Sequence, residues 1–167
     1  MPLNKLRAFL DQNHIKYVAI SHSKAYTAQG TAALAHIPGQ EIAKTVIVKL
    51  DGALAMVVLP APYQVDLLKL KKAVGVGDAM LAGEREFKQH FPDCETGAMP
   101  PFGNLYGIPV YVDEQLTRDT EIAFNAGSHL ELIRMSCADF MRLVNPVVLA
   151  FSSRHKGALD REPELVL

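Results

Sequence analysis

The chain has 167 residues, of which 49% are hydrophobic and 21% charged, so it is the size of one ordinary domain with enough apolar residues for a sizeable core. Seventeen Lys and Arg against 18 Asp and Glu leave a formal net charge of −1. That balance excludes a strongly basic nucleic-acid-coating protein and an acidic solvating tail, but not a nucleic acid touched locally.

In chain order, residues 3–12 place Leu3, Leu6 and Leu10 on one helical face. Residues 17–21 alternate as a short strand. Thr27 is a candidate cap for a helix over 28–36, which stops before Pro38-Gly39. Residues 45–50 and 54–59 read as strands joined by Asp51-Gly52, a strong hairpin signal. Helices are expected over 64–74 and 84–91, and a Gly/Pro-dense loop over 96–107. Strands are expected over 108–112, 121–125 and 129–135. Ser136, with Asp139 three residues on, caps a helix over 137–144. The expected class is α+β, a single domain over 1–150 with a mixed, mostly antiparallel and partly barrel-like sheet flanked by helices. Residues 151–167 read as a polar C-terminal tail.

The two cysteines, Cys94 and Cys137, are far apart and read as reduced thiols. The first residues lack the apolar run of a signal peptide, and the longest apolar stretch, 53–62, is strand-sized. A soluble cytoplasmic protein is expected. The six histidines fit no metal-motif spacing, and the phosphate-binding and nucleophile-elbow motifs are absent. Acids flank Cys94, which disfavours its thiolate, and Cys137 suits a core position.

Two features resist a purely structural reading. Lys44 shares its parity with Val46, Val48 and Leu50, so a strand beginning there would aim its ammonium toward the core-facing side. Such a lysine must snorkel, find an acid or line a pocket, unless the strand starts one residue later and Lys44 is a solvated flank. The second feature is Gly97-Ala98-Met99-Pro100-Pro101-Phe102-Gly103. Prolines stiffen it, and the N–H groups of Gly97, Ala98 and Met99 could receive an anion or oxyanion. The alternative is a rigid connection between strands. Lys69, Lys71 and Lys72, with Lys88 nearby, form a small basic cluster that suits either RNA or plain solvation.

Four segments carry a family resemblance: EIAKTVIVKL around Lys44, VVLPAPYQVDLLKL over 57–70, GAMPPFG over 97–103, and EIAFNAGSHLELI over 121–133. In this order, across roughly 15–145, the chain resembles the YbaK/EbsC family of aminoacyl-tRNA deacylases, relatives of the editing domain of prolyl-tRNA synthetases. The resemblance implies trans-editing, the hydrolysis of the ester joining a wrong amino acid to the 3′ end of a tRNA. It implies aminoacyl-tRNA as the partner, an aminoacyl-tRNA synthetase as a candidate second partner, and neither DNA nor a membrane. The family lysine falls on Lys44 and the family GxxxP loop on Gly97 to Pro101. Tyr26 falls where members line the substrate pocket, and Asn125, Gly127 and Ser128 where a strand end closes it; Thr45, Pro101 and Phe102 are further candidate substrate-binding residues. The sequence departs from relatives that carry an acid near Ser128 or a histidine near Asn125, which leaves the amino acid removed open.

No Ser-His-Asp arrangement, metal or cofactor is implied, so the nucleophile would be water or a ribose hydroxyl of the substrate. A non-catalytic binding module for a nucleotide or amino acid using the same pocket is the competing reading, and a purely structural domain a third. A chain of charge −1 that grips only a tRNA end should bind it weakly and salt-sensitively.

Overall fold

The computed structural model describes residues 3–21 and 37–154. The first helix, α1 (Asn4–Gln12), buries Leu6 and Leu10, four residues apart on its inner face. Strand β1 (Tyr17–Ser21) follows. The predicted helix over 28–36 lies outside the described residues.

Strands β2 (Ala43–Leu50) and β3 (Ala53–Pro60) form a hairpin in full antiparallel register, from Ala43 opposite Pro60 to Leu50 opposite Ala53. Asp51 and Gly52 turn it with φ of 49° and 85°, the positive pair that a type I′ turn requires. Asp51 also accepts from the N–H groups of Gly77 and Asp78, which ties the turn to the next segment.

The segment expected to be helical over 64–74 divides. Tyr63–Val65 is strand β4, and the helix, α2, runs Leu67–Val74. The reason is Asp66, whose carboxylate accepts from the N–H groups of Leu68 and Lys69 and caps the helix later than periodicity suggests. Gly75, at φ 85°, ends it. After β5 (Ala79–Leu81) comes α3 (Glu84–Phe87), shorter than expected because Lys88–His90 tighten into a 3-10 turn.

Strand β6 (Val110–Asp113) begins after Pro109, which has no N–H to give a ladder. Strands β7 (Glu121–Asn125) and β8 (Glu131–Ser136) pair antiparallel. The expected strand at 129 starts at Glu131 instead, because the Ala126 N–H bonds the Glu131 carbonyl and closes 127–130 into a loop. Helix α4 (Cys137–Val144) is capped by Ser136, whose hydroxyl accepts from the Asp139 N–H at 3.0 Å. Strands β9 (Val147–Leu149) and β10 (Ser152–Arg154) complete the described chain.

The strands make a five-stranded sheet in the order β5-β2-β3-β6-β9, a three-stranded sheet β1-β8-β7 and a two-stranded pair β10-β4. Pairing of β3 with β6 and of β6 with β9 is parallel, and the rest is antiparallel. The class is therefore the α+β expected, but the sheets stay separate and do not close into a barrel. A single parallel bridge, Ile42 to Ala123, links β2 to β7 among the described residues.

The predicted boundary at 150 falls inside the fold. Phe151 has no exposed surface, and its N–H and that of Ser152 both donate to the buried Asp113 carboxylate, at 2.9 and 3.0 Å. Strand β10 then pairs with β4, so the folded body reaches at least Arg154. Among the described residues, no helix is long and apolar enough to cross a membrane. Both cysteines are free.

Candidate active site

Lys44 is the second residue of β2, not a flank before it. Its neighbour across the hairpin is Leu59, which is fully buried. On the same face follow Val46, Val48 and Leu50, packed against Leu70 of α2. Among the described residues, no hydrogen bond or ion pair reaches the Lys44 ammonium. Burial alone lowers its pKa from the ordinary lysine value to about 8. A half-buried cation with no anion beside it among the described residues is poised to take an external one.

The Ile42–Ala123 bridge relates the segment of Lys44 to that of a second predicted residue, Asn125. The bridged chains run in the same direction, so Lys44 and Asn125 each lie two residues beyond the bridge, which is isolated and does not extend as a ladder to them. The Asn125 side-chain oxygen is buried and has no hydrogen-bond partner among the described residues. Thr45 shows the same orphaned oxygen, but strand alternation sends it to the opposite face from Lys44, toward the core that holds Ile47 and Val58.

From Asn125 the site continues through Gly127 to the GxxxP loop. The Gly127 N–H donates to the Ala98 carbonyl at 2.9 Å, and the Glu95 N–H donates to the Gly127 carbonyl at 2.8 Å. Gly97 stands between these contacts at φ 85°, a left-handed conformation that only glycine adopts without strain. Gly127, at φ 92°, is equally constrained, and an added Cβ would come within 3.3 Å of the Leu3 Cβ.

Of the three N–H groups expected to meet an anion, that of Ala98 is engaged, donating to the Glu95 carbonyl at 3.0 Å. Those of Gly97 and Met99 have no partner among the described residues. The side chains divide more sharply. Gly97 is exposed, whereas Ala98, Met99, Pro101 and Phe102 are buried. Phe102 has no exposed surface, and its ring lies 5.5 Å from both Phe124 and Phe140 and 6.1 Å from Phe9. It is a core anchor for the loop rather than the substrate-facing wall its position suggested. Ser128 spends its hydroxyl on the Leu130 N–H at 3.0 Å. Tyr26 lies outside the described residues.

Two residues that sequence reasoning passed over hold the loop. The Glu95 carboxylate accepts from the His129 N–H at 2.8 Å, and the His129 ring Nε2 lies 2.9 Å from the Thr96 carbonyl. A Cβ built on Gly97 would sit 3.5 Å from the same ring. The two residues are 34 positions apart, so no local pattern reveals the contact.

Burial raises the thiol pKa of both Cys94 and Cys137, so neither is a thiolate nucleophile. Among the described residues no group of His, Cys, Asp and Glu is arranged to hold a metal ion. A separate open groove of about 880 Å³, lined in part by Arg7, Asp11, Tyr17 and Asp139, contains none of the predicted site residues.

The aminoacyl-tRNA editing domain family matches residues 22–143. The chain is 27% identical over 152 residues to the multifunctional Ser/Thr-tRNA deacylase ProXp-y of Escherichia coli K12, covering 88% of this chain and 90% of that protein. It is 28% identical over 107 residues to the proline–tRNA ligase of Xanthomonas axonopodis pv. citri, covering 62% of this chain and 19% of the ligase. Its fold superposes on the crystal structure of hypothetical protein APE2540 with a TM-score of 0.81 at 22% identity, covering 90% of this chain and all of that one. The matched span holds Lys44, Asn125 and the GxxxP loop together, and on that ground the chain belongs to the aminoacyl-tRNA editing domain family and is an aminoacyl-tRNA deacylase.

Proposed function

We propose that this deacylase edits in trans, hydrolysing the ester of a mischarged tRNA with Lys44 as the cation that fixes the tRNA 3′ end. The observation that carries this reading is the half-buried Lys44 ammonium, which has no anionic partner among the described residues and is depressed in pKa by burial. At neutral pH it is still mostly protonated, and a substrate phosphate supplies the counter-charge, or a carbonyl oxygen the acceptor, that the described residues do not.

The chemistry needs no covalent intermediate. Water adds to the ester carbonyl carbon, and negative charge develops on the carbonyl oxygen. The N–H groups of Gly97 and Met99 receive that oxyanion. The ester C–O bond then breaks, the departing ribose oxygen takes a proton from the added water, and free amino acid and tRNA result. Of the two nucleophiles open to such a site, only water yields free amino acid in one step.

Asn125, Gly127 and Ser128 close the pocket and select by size, which discriminates only about 10–200-fold per methylene. The Escherichia coli relative is named a Ser/Thr-tRNA deacylase, so seryl and threonyl esters head the substrate panel. Action in trans is supported by the match along 90% of the Escherichia coli deacylase.

The test is deacylation of a panel of mischarged tRNAs by the wild type and Lys44→Ala. Loss of hydrolysis in a folded variant supports the reading. Wild-type rates in the variant overturn it. A wild type that cleaves none of the panel yet is stabilised by a free nucleotide or amino acid would instead be a binding module.

A further inference from the structure

We propose that Arg134 is a positioning residue for the editing site, holding β2, and Lys44 with it, in register against β7 through Glu41 and Glu121. The proposal rests on the reading of Lys44 as the anion-binding cation. It concerns a residue that never reaches the substrate.

Arg134 lies on β8, the central strand of the three-stranded sheet, opposite Ala123 of β7 and Val18 of β1. Its Nη2 stands 3.0 Å from Glu121 Oε1, within its own sheet, and 3.5 Å from Glu41 Oε1, across the gap to the other sheet. Glu41 closes the 3-10 turn Gly39–Glu41, next to Ile42, which makes the parallel bridge to Ala123. Lys44 follows two residues later. The guanidinium and the bridge therefore act at one point, where the strand bearing Lys44 meets the strand bearing Asn125.

The surrounding charges explain why a cation is needed there. Asp119 is raised in pKa by its burial and by the charge of Glu41. Glu41 and Glu121 thus share a single guanidinium, with Asp119 within reach of the Glu41 charge, and a neutral side chain in the arginine's place would leave the two paired carboxylates uncompensated. The Glu41 Oε1 and the Arg134 Nε are both buried and make no hydrogen bond among the described residues, so the ion pair at 3.5 Å is the polar contact of that Glu41 oxygen. Arg134 also borders the open groove, with 38% of its side chain exposed, and it spans a junction held among the described residues by one backbone bridge.

The experiment reads Lys44 directly. Wild type, Arg134→Met, Glu41→Gln and the double variant are labelled at lysine, and the Lys44 titration is followed by NMR beside kcat and KM for a mischarged tRNA. Arg134→Met keeps the aliphatic stem, and Glu41→Gln removes only the contact across the sheets. Wild-type Lys44 titrates near pH 8. Each single variant is expected to move that titration up toward the ordinary lysine range as water reaches the ammonium, and to lower kcat about tenfold with little change in KM. The double variant should add nothing further, because both changes cut one link.

Variants that lose thermal stability while the Lys44 titration and kcat stay at wild-type values would overturn the proposal and leave Arg134 a structural residue. The titration does not depend on catalysis. If Lys44→Ala kept full activity while Arg134→Met still moved the Lys44 titration, the positioning role would stand and the catalytic reading of Lys44 would fall.

Discussion

Lys44 sits directly across the β2–β3 ladder from Leu59, a leucine with no exposed surface. The pairing costs stability, because the ammonium is partly desolvated and no hydrogen bond or ion pair among the described residues offsets it. Its pKa of about 8 in the fold, against the ordinary lysine value of 10.5, corresponds to a penalty of about 3 kcal/mol when the group is charged. Lys44→Met is therefore expected to abolish deacylation and to stabilise the protein by about 1–3 kcal/mol at pH 7. Urea unfolding beside the activity assay checks both halves.

The same depression fixes a pH dependence. The folded pKa lies below the unfolded one, so between about pH 8 and the ordinary lysine value the unfolded chain binds the extra proton. Stability contributed through Lys44 thus rises with pH across that window and is lowest below it. Activity runs the other way, because the charged form holds the substrate, and kcat/KM should fall as pH rises through about 8. A pH–rate profile and a pH series of unfolding curves should show these opposite slopes, and Lys44→Met should lose the Lys44 part of both.

Gly97 tests the oxyanion site. Its φ of 85° makes any side chain there costly, about 1–2 kcal/mol for alanine. Gly97→Ala should lower kcat by about 10²–10³-fold, the scale of a lost oxyanion donor, while tRNA binding is kept. Single-turnover rates with a filter-binding Kd separate the two effects.

The clamp behind the loop gives a milder prediction. Glu95→Ala removes the acceptor for the His129 N–H but leaves both backbone bonds of Glu95 in place. The loss should cost about 0.5–1.5 kcal/mol of stability. It should also lower kcat several-fold with KM little changed, as the loop loses its fixed aim.

Asn125 makes the converse case. Its buried oxygen has no partner among the described residues, so Asn125→Leu should leave stability unchanged or raise it by about 1 kcal/mol. A rise in KM for mischarged tRNA at constant fold would show that the oxygen is kept for the substrate.

The parts legible in the sequence were those with a local signature. Alternation marked the face of Lys44, Asp51-Gly52 marked the hairpin, and Ser136 marked the start of α4. Contacts between distant segments were not legible. Asp66 capped α2 three residues later than periodicity indicated, because a cap is decided by one side chain and not by a repeat. Phe102 looked like a pocket wall from its place in the motif, and only its packing against Phe9, Phe124 and Phe140 shows it to be core. The bond from His129 to Glu95 and the Ile42–Ala123 bridge join residues dozens of positions apart, and neither leaves a trace in spacing. The family resemblance found the right segments without showing which of their side chains face the substrate.

The most direct measurement is the initial rate of deacylation of seryl and threonyl esters of mismatched tRNAs by the wild type and Lys44→Met at pH 7. The account predicts a loss of at least about 100-fold in a variant that is as stable as the wild type or more so. A Lys44→Met protein that hydrolyses these esters at the wild-type rate would contradict it.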